Sequence, residues 1–218
     1  MLSVGGREVD VAIAREWVRE YLNGARGQFG YPSYDGYRTF SDDDHLYDGD
    51  LLAPVLLNVQ VKIGSFADLC ACRDELEVAL ADVPVDKNLA DAEASTIAKV
   101  GSLFGVLDSE SRPRNVRGTT LAKVLHRKRP ALVPLYDEQV RCVYQEGPTA
   151  PVPPVAGRSW VEFMILLATS MQADLRRERG FWDEIRGQRP AGGPPVSALR
   201  ALDIVAWRLG SRTAIESP

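Results

Sequence analysis

Apolar side chains recur along this chain at intervals of three and four residues, and a glycine or proline follows almost every such run. This spacing places the apolar residues on one face of an α-helix, which turns once every 3.6 residues. Runs that alternate apolar and polar residues, as half-buried strands do, are few. The pattern therefore predicts an all-α fold, built as a single globular multi-helix domain over residues 1–218.

Capping residues and helix breakers set the predicted boundaries of the helices. Asp10 and Ser159 stand where N-caps belong, and Pro134 stands at a position suited to the first residue of a helix. The predicted helices span about 11–23, 51–59, 66–81, 89–107, 118–128, 134–146, 159–180 and 197–210.

Residues 24–50 are rich in glycine and predict a long loop. The loop carries three consecutive aspartates at 42–44, but their spacing is not that of a calcium-binding loop, and we expect no metal site there. Its tyrosines are expected to pack the loop onto the core. Two proline-rich stretches predict linkers, at 147–158 and 187–196.

The three cysteines, Cys70, Cys72 and Cys142, are odd in number and lack a framework spacing, which predicts reduced thiols. No apolar run approaches the roughly 20 residues that a bilayer span requires. No fingerprint for a nucleotide or another cofactor occurs. We therefore expect a cytoplasmic protein with no cofactor, no metal and no membrane association. Whether the protein is an enzyme stays open at this point.

Charge is distributed unevenly along the chain, although the net charge is only −4. Residues 111–136 contain no acidic side chain, and His126 lies among their cations and is expected to be exposed. Such a block is typical of a solvated face, of a nucleic-acid contact, or of a surface for an acidic partner. The cations are Arg112, Arg114, Arg117, Lys123, Arg127, Lys128 and Arg129.

Residues 115–125 (NVRGTTLAKVL) resemble the second half of a helix-hairpin-helix motif, with Gly118, Ala122 and Leu125 in matching places. In that motif, N–H groups at a helix N-terminus bind a phosphate, and flanking cations add affinity that is independent of sequence. The resemblance implies a helix-hairpin-helix-like segment near 100–146 that contacts the backbone of DNA or RNA. The residues nominated for these contacts are Arg114, Arg117, Gly118, Thr119, Lys123, Arg127, Lys128 and Arg129.

The run from Val133 to Asp137 extends this likeness to the helix-hairpin-helix DNA glycosylase superfamily, in which an aspartate heads a helix after the hairpin. Asp137 follows Gly118 by 19 residues. The resemblance implies that Asp137 stabilises a developing oxocarbenium charge or activates a water molecule. Thr120 stands where bifunctional members carry a lysine, so the implied activity is monofunctional. Considered without the resemblance, Asp137 is predicted to cap its helix and to pair with Arg141.

Three segments, 50–58 (DLLAPVLLN), 128–137 (KRPALVPLYD) and 198–207 (ALRALDIVAW), resemble an uncharacterised family of actinobacterial proteins, which implies no particular activity. The leading hypothesis is therefore a nucleic-acid-binding protein that contacts the sugar–phosphate backbone. One alternative is a non-catalytic protein-interaction module. Another is a monofunctional DNA glycosylase-like enzyme that uses Asp137.

Overall fold

A computed structural model describes residues 1–24, 28–37 and 44–216 of the chain, with side chains as far as Ser211 in the last helix. The structure is 58% helix, with eleven α-helices and one two-stranded sheet in the described part. The predicted all-α fold, built as one globular domain, is confirmed.

The sheet is an N-terminal hairpin that the sequence pattern did not predict. Strands β1 (Leu2–Val4) and β2 (Arg7–Val9) pair antiparallel, with Leu2 opposite Val9. Gly5 and Gly6 form the turn with φ angles of 55° and 76°, which glycine adopts without steric cost. A pair of glycines between two short strands is a recognised hairpin signal, so the sequence did contain the information.

Helix α1 (Val11–Asn23) begins at the predicted N-cap, where the Asp10 carboxylate accepts hydrogen bonds from two backbone N–H groups. The irregular part of the region predicted as a long loop, 24–50, is shorter than expected, because one helix forms within it and another overlaps its C-terminal end. They are α2 (Ser33–Gly36) and α3 (Asp48–Leu52), and a 3₁₀ turn follows at Ala53–Leu57.

Tyr31 and Tyr34 from this region are buried, as predicted for tyrosines that pack the loop onto the core, whereas Tyr37 is exposed. Asp42 and Asp43, the first two aspartates of the acidic run, lie outside the described residues. Nothing is therefore concluded about them.

Two predicted helices are each divided in the structure. The helix predicted over 66–81 is two helices, α4 (Ile63–Ala71) and α5 (Arg73–Ala81). The helix predicted over 89–107 is a 3₁₀ turn at Leu89–Asp91, helix α6 (Ala94–Ser102) and a second 3₁₀ turn at Gly105–Leu107.

The turn before α6 is anchored by a side chain from α9. The Gln172 side-chain amide donates hydrogen bonds of 2.7 Å to the carbonyls of Leu89 and Ala92. The Leu89 carbonyl also accepts the Ala92 N–H, which closes the 3₁₀ turn. Periodicity within the segment alone does not reveal a contact with a distant helix.

The remaining helices form the centre of the fold. Helix α11 packs against α8 and α1, and α9 packs against α6, with a continuous apolar core between them. The predicted linkers are irregular, but Val152 and Val196 anchor them in this core. The helices are α7 (Gly118–Lys128), α8 (Glu138–Gln145), α9 (Trp160–Arg177), α10 (Arg179–Ile185) and α11 (Ala198–Glu216).

Candidate functional site

Helix α7 occupies the predicted position, but its first residue is packed rather than open. Gly118 is buried, and a Cβ atom added there would lie 2.2 Å from the ring of Trp160. Close approach between the start of α7 and the start of α9 therefore requires glycine at this position. The glycine that the resemblance assigns to phosphate contact also has a packing role.

Four of the predicted nucleic-acid contacts are held inside the protein. Lys123 is buried with its ammonium group 3.2 Å from Asp137 Oδ2, and Lys128 lies 3.4 Å from the buried Asp50. Arg127 donates a hydrogen bond of 2.7 Å to the carbonyl of Tyr34. These contacts tie α7 to α2, α3 and α8.

Arg129 is 1% exposed and donates hydrogen bonds of 2.7 Å and 2.9 Å to the carbonyls of Val83 and Leu80. Its guanidinium group thus provides hydrogen-bond donors to carbonyl groups at the C-terminal end of α5. Together with Lys123, Arg127 and Lys128, it connects α7 to the rest of the fold. Phosphate binding by these four side chains stays a prediction, and their contacts inside the protein argue against it.

The expectation that His126 is exposed is wrong. The ring is 2% exposed, and its Nδ1–H donates a hydrogen bond of 2.7 Å to the carbonyl of Val133. Burial, reinforced by the charge of Arg200, lowers the pKa of His126 to about 4. Helix α8 begins at Glu138 and not at Pro134, because Asp137 has an extended backbone and is the N-cap residue.

Three cations of the basic segment are exposed, namely Arg112, Arg114 and Arg117. Their guanidinium groups form no ion pair with any residue that the structure describes. They line a surface groove of about 690 Å³ beside the N-terminus of α7, where Arg117 is the N-cap residue and its side chain makes no capping hydrogen bond. Glu110 also lines the groove, so three guanidinium groups and one carboxylate surround a helix N-terminus, and such termini attract anions.

A second cavity, of about 420 Å³, lies beside the groove and shares Thr119 with it. Asp137 lines this cavity from the N-cap of α8, where its Oδ1 accepts a hydrogen bond of 3.1 Å from the Val140 N–H. The predicted capping role of Asp137 is confirmed. The predicted pair with Arg141 is wrong, because Asp137 pairs with Lys123 instead.

Arg141 is drawn away from Asp137 by two other carboxylates. Its guanidinium group lies 2.5 Å from Glu138 and 2.8 Å from Glu146. The four-residue spacing on one helix permitted the Asp137 pair, but these acids compete for the same group.

Arg200 forms the floor of the cavity and is almost fully buried. Its guanidinium group donates hydrogen bonds to Asp35 at 2.8 Å, to the hydroxyl of Tyr21 at 2.6 Å, and to Asp203. It also lies over the ring of Tyr34, 5.6 Å from the centroid. A buried cation needs such compensation, since desolvation of an unpaired charge costs several kcal/mol.

Asp203 lines the same cavity one helical turn beyond Arg200. The pKa of Asp203 is raised to about 6, and burial is the largest cause; the charge of Arg200 opposes the rise, that of Asp137 adds to it, and that of Lys123 opposes it. Perturbed carboxyl groups that face a cavity mark candidate functional sites.

Aromatic rings complete the wall of the cavity. Tyr21 stacks on Phe29 with 5.1 Å between ring centroids, and the edge of Trp207 meets both rings. The cavity thus combines an apolar wall with charged groups, as small-molecule sites commonly do. The charged lining residues are two cations and three carboxylates, namely Lys123, Arg200, Asp137, Glu138 and Asp203.

Sequence reasoning identified Asp137, Thr119 and Lys123, which line this site, but missed Tyr21, Arg200 and Asp203. A usable signal was present, because Arg200 and Asp203 are the only charged residues in the otherwise apolar run 198–206. Charges on a helix face that is otherwise apolar are rarely buried unless they are paired.

The described residues contain no group of three or more histidine, cysteine, aspartate or glutamate side chains placed to hold a metal ion. The helices within the described ranges include none with the length and apolar character needed to cross a membrane.

Fold and site together define an all-α protein with a polar cavity between α7, α8 and α11 and an arginine-lined groove beside it. The chain belongs to a family of unknown function (DUF6308), whose model matches residues 14–210, a range that includes both the cavity and the groove. The expected membership of an uncharacterised family is thereby confirmed. No curated protein and no solved structure gives a significant match to the chain.

Proposed function

We propose that this protein binds nucleic acid through the sugar–phosphate backbone at the groove beside α7. The observation that carries the proposal is the grouping of Arg112, Arg114 and Arg117 around the start of α7, which has no side-chain cap. Unpaired arginines and helix N–H groups are the donors that bind phosphates without regard to base sequence.

The groove is a narrower surface than the whole basic segment. Of the seven cations between residues 111 and 136, the other four make buried or partly buried contacts within the protein. We therefore expect about three phosphate contacts from arginine side chains, with the first N–H groups of α7 adding a further donor site.

A second candidate function is release of a base from nucleic acid by Asp137. It is favoured by the shared residue Thr119, since a strand with a phosphate in the groove has its next sugar close to the cavity that Asp137 lines. A carboxylate at this position stabilises positive charge that develops on the sugar when the bond to the base breaks.

Binding is tested with fluorescently labelled single-stranded and double-stranded DNA and RNA over a range of salt concentrations. For wild type on duplex DNA, the affinity should fall linearly in a log–log plot against salt, with a slope of about −0.9 per phosphate contact. Replacing Arg112, Arg114 and Arg117 with alanine should reduce the slope by about two to three.

The matched control replaces three exposed arginines outside the groove, Arg19, Arg179 and Arg186, with alanine and produces the same change in net charge. This control should bind like wild type. If both triple variants weaken binding equally, the groove is not the contact surface. If folded wild type binds no nucleic acid at low salt, the protein-interaction module becomes the better hypothesis.

A further inference from the structure

Asp137 and Asp203 line the cavity from the N-cap of α8 and from α11, and each is paired with a cation, but they differ in burial. Asp137 accepts hydrogen bonds from the Val140 N–H and the Lys123 ammonium group, and 22% of its side chain is exposed. Both donors, together with the N-terminus of α8, stabilise a negative charge on Asp137.

Asp203 is held differently, because burial opposes its ionisation. It lies in the cavity wall with only 6% of its side chain exposed, and within the described residues only Arg200 donates a hydrogen bond to it, at Oδ2. Its Oδ1 is therefore the oxygen that a bound molecule can contact. Burial is the largest cause of the rise in the pKa of Asp203 to about 6, so about half of the group carries a proton at pH 6 and about a tenth at pH 7.

The charged and titratable groups that face Asp203 come from every helix packed around it. Arg200 precedes it on α11, Lys123 projects from α7, and Asp137 projects from the start of α8. Tyrosine hydroxyls from three other positions complete the set, those of Tyr21, Tyr34 and Tyr144.

We propose that Asp203 is a second catalytic residue, which donates a proton to the departing base while Asp137 acts on the sugar and the attacking water. This inference rests on the second candidate function, base release. The geometry that carries it is the presence of two carboxyl groups in one cavity, a partly exposed one beside the Lys123 ammonium group and a buried one beside the Arg200 guanidinium group. The second oxygen of the buried carboxyl group is not bonded within the described residues. Pairs of carboxyl groups in unlike surroundings commonly divide the acid and base roles.

The reaction is a hydrolysis that balances without any co-reactant except water. The bond between C1′ of the sugar and a base nitrogen breaks, and its electron pair stays on the nitrogen, which takes the proton of Asp203. The oxygen of water bonds to C1′, and a proton of that water passes to Asp137. Solvent then removes the proton from Asp137 and returns one to Asp203, so the base leaves as a neutral molecule.

The test compares two leaving groups that differ in their need for a proton. Matched oligonucleotides carry either hypoxanthine, which leaves as an anion unless it is protonated, or 7-methylguanine, which is already cationic and leaves as a neutral molecule. Base release is measured for wild type, Asp203→Asn and Asp137→Asn. The control is Asp183→Asn, at an exposed position on α10 outside the cavity.

For Asp203→Asn we expect release of hypoxanthine to fall about 10²-fold or more, the usual contribution of a general acid. Release of 7-methylguanine should stay within a few-fold of wild type. Asp137→Asn should lose both activities, and Asp183→Asn neither. Equal losses for the two bases in Asp203→Asn, or no loss for either, would overturn the proposal.

The pH dependence of wild type provides a measurement that does not depend on whether Asp203→Asn folds. Release of hypoxanthine should decline about tenfold per pH unit above pH 6, because the required proton on Asp203 is lost. Release of 7-methylguanine should show no such decline. Identical profiles for the two bases would also overturn the proposal.

The experiments distinguish failure of the acid role of Asp203 from failure of base release and from failure of nucleic-acid binding. If wild type releases neither base, base release and the acid role of Asp203 both fall, whereas the salt-dependent binding measured in parallel still decides whether the groove contacts phosphate. If wild type releases both bases and Asp203→Asn does so equally, only the role of Asp203 is lost.

Discussion

The ammonium group of Lys123 lies 3.2 Å from Oδ2 of Asp137, and this pair joins the middle of α7 to the N-cap of α8. Lys123 is buried and Asp137 is partly exposed at the cavity, so the pair connects the protein interior to the candidate site. A second bond anchors the same turn of α7, because the Tyr34 hydroxyl donates to the carbonyl of Lys123 at 2.7 Å.

Removing the charge of Lys123 should destabilise the protein while leaving the cap of α8 intact. For Lys123→Met, which keeps most of the apolar stem, we expect a loss of about 1.5–3 kcal/mol in unfolding free energy, typical of a hydrogen bond to a charged group. Asp137→Asn should cost less, because asparagine caps a helix nearly as well as aspartate. The measurement is urea unfolding of each variant.

The same pair is tested directly by a double-mutant cycle. Combining Lys123→Met with Asp137→Asn should cost less than the sum of the two single losses, by about 0.5–3 kcal/mol, as found for residues in contact. Additive losses would show that the 3.2 Å contact contributes little to the stability of the folded protein.

Arg129 should behave as a core residue and not as a surface cation. Arg129→Ala removes the guanidinium donor from the buried carbonyls of Leu80 and Val83 and a large side chain from the interior, and we expect it to cost about 3 kcal/mol or more. Arg114→Ala removes the same side chain from an exposed position and should change stability by about 0.5 kcal/mol or less. Thermal and urea unfolding of the two variants provide the comparison, and similar losses for both would contradict the burial of Arg129.

Gly118 and Gly180 offer a matched pair of glycine substitutions in helices. An added Cβ meets the Trp160 ring in the first case and nothing within 4 Å in the second. Gly118→Ala should therefore destabilise by about 1–3 kcal/mol through overpacking, whereas Gly180→Ala should be neutral or stabilise by up to about 1 kcal/mol. Equal effects in unfolding experiments would show that the indole moves aside readily.

The helical fold was predictable because apolar periodicity is a local property of the sequence. Helix α7 was predicted with its observed bounds, and Asp10 and Ser159 cap α1 and α9 as expected. The start of α8 was predicted too early, because Pro134 suits the first residue of a helix, whereas the chain stays extended as far as the N-cap, Asp137.

The candidate site was predicted only in part for a similar reason. A motif-like spacing identified Asp137, but a basic run in the sequence does not show which cations point inward. Lys123 and Arg129 look the same as Arg114 and Arg117 until the packing partners of α7 are known. Arg200 and Asp203 were missed because they are far in sequence from every residue that carried a motif.

As the pH rises from 4 to 7, wild type should lose unfolding free energy relative to the Asp203→Asn variant. The folded carboxyl has a pKa of about 6, raised from 3.8, so the folded state binds more protons than the unfolded state between these values. Stability from this group is therefore complete below pH 3.8 and is lost as the pH rises through 6, by about 3 kcal/mol in total.

The contribution of His126 to stability changes in the opposite direction over nearly the same pH range. It therefore affects the pH dependence of unfolding that is measured for wild type. Its folded pKa is about 4, lowered from 6.5, so its contribution is complete above pH 6.5 and is lost as the pH falls towards 4. The two contributions offset one another in wild type between pH 4 and 6. Removing Asp203 should expose the His126 dependence, so that Asp203→Asn gains stability as the pH rises. Urea unfolding of both proteins at pH 4.5, 5.5 and 6.5 measures the difference, and parallel curves would mean that Asp203 ionises alike in the folded and unfolded chain.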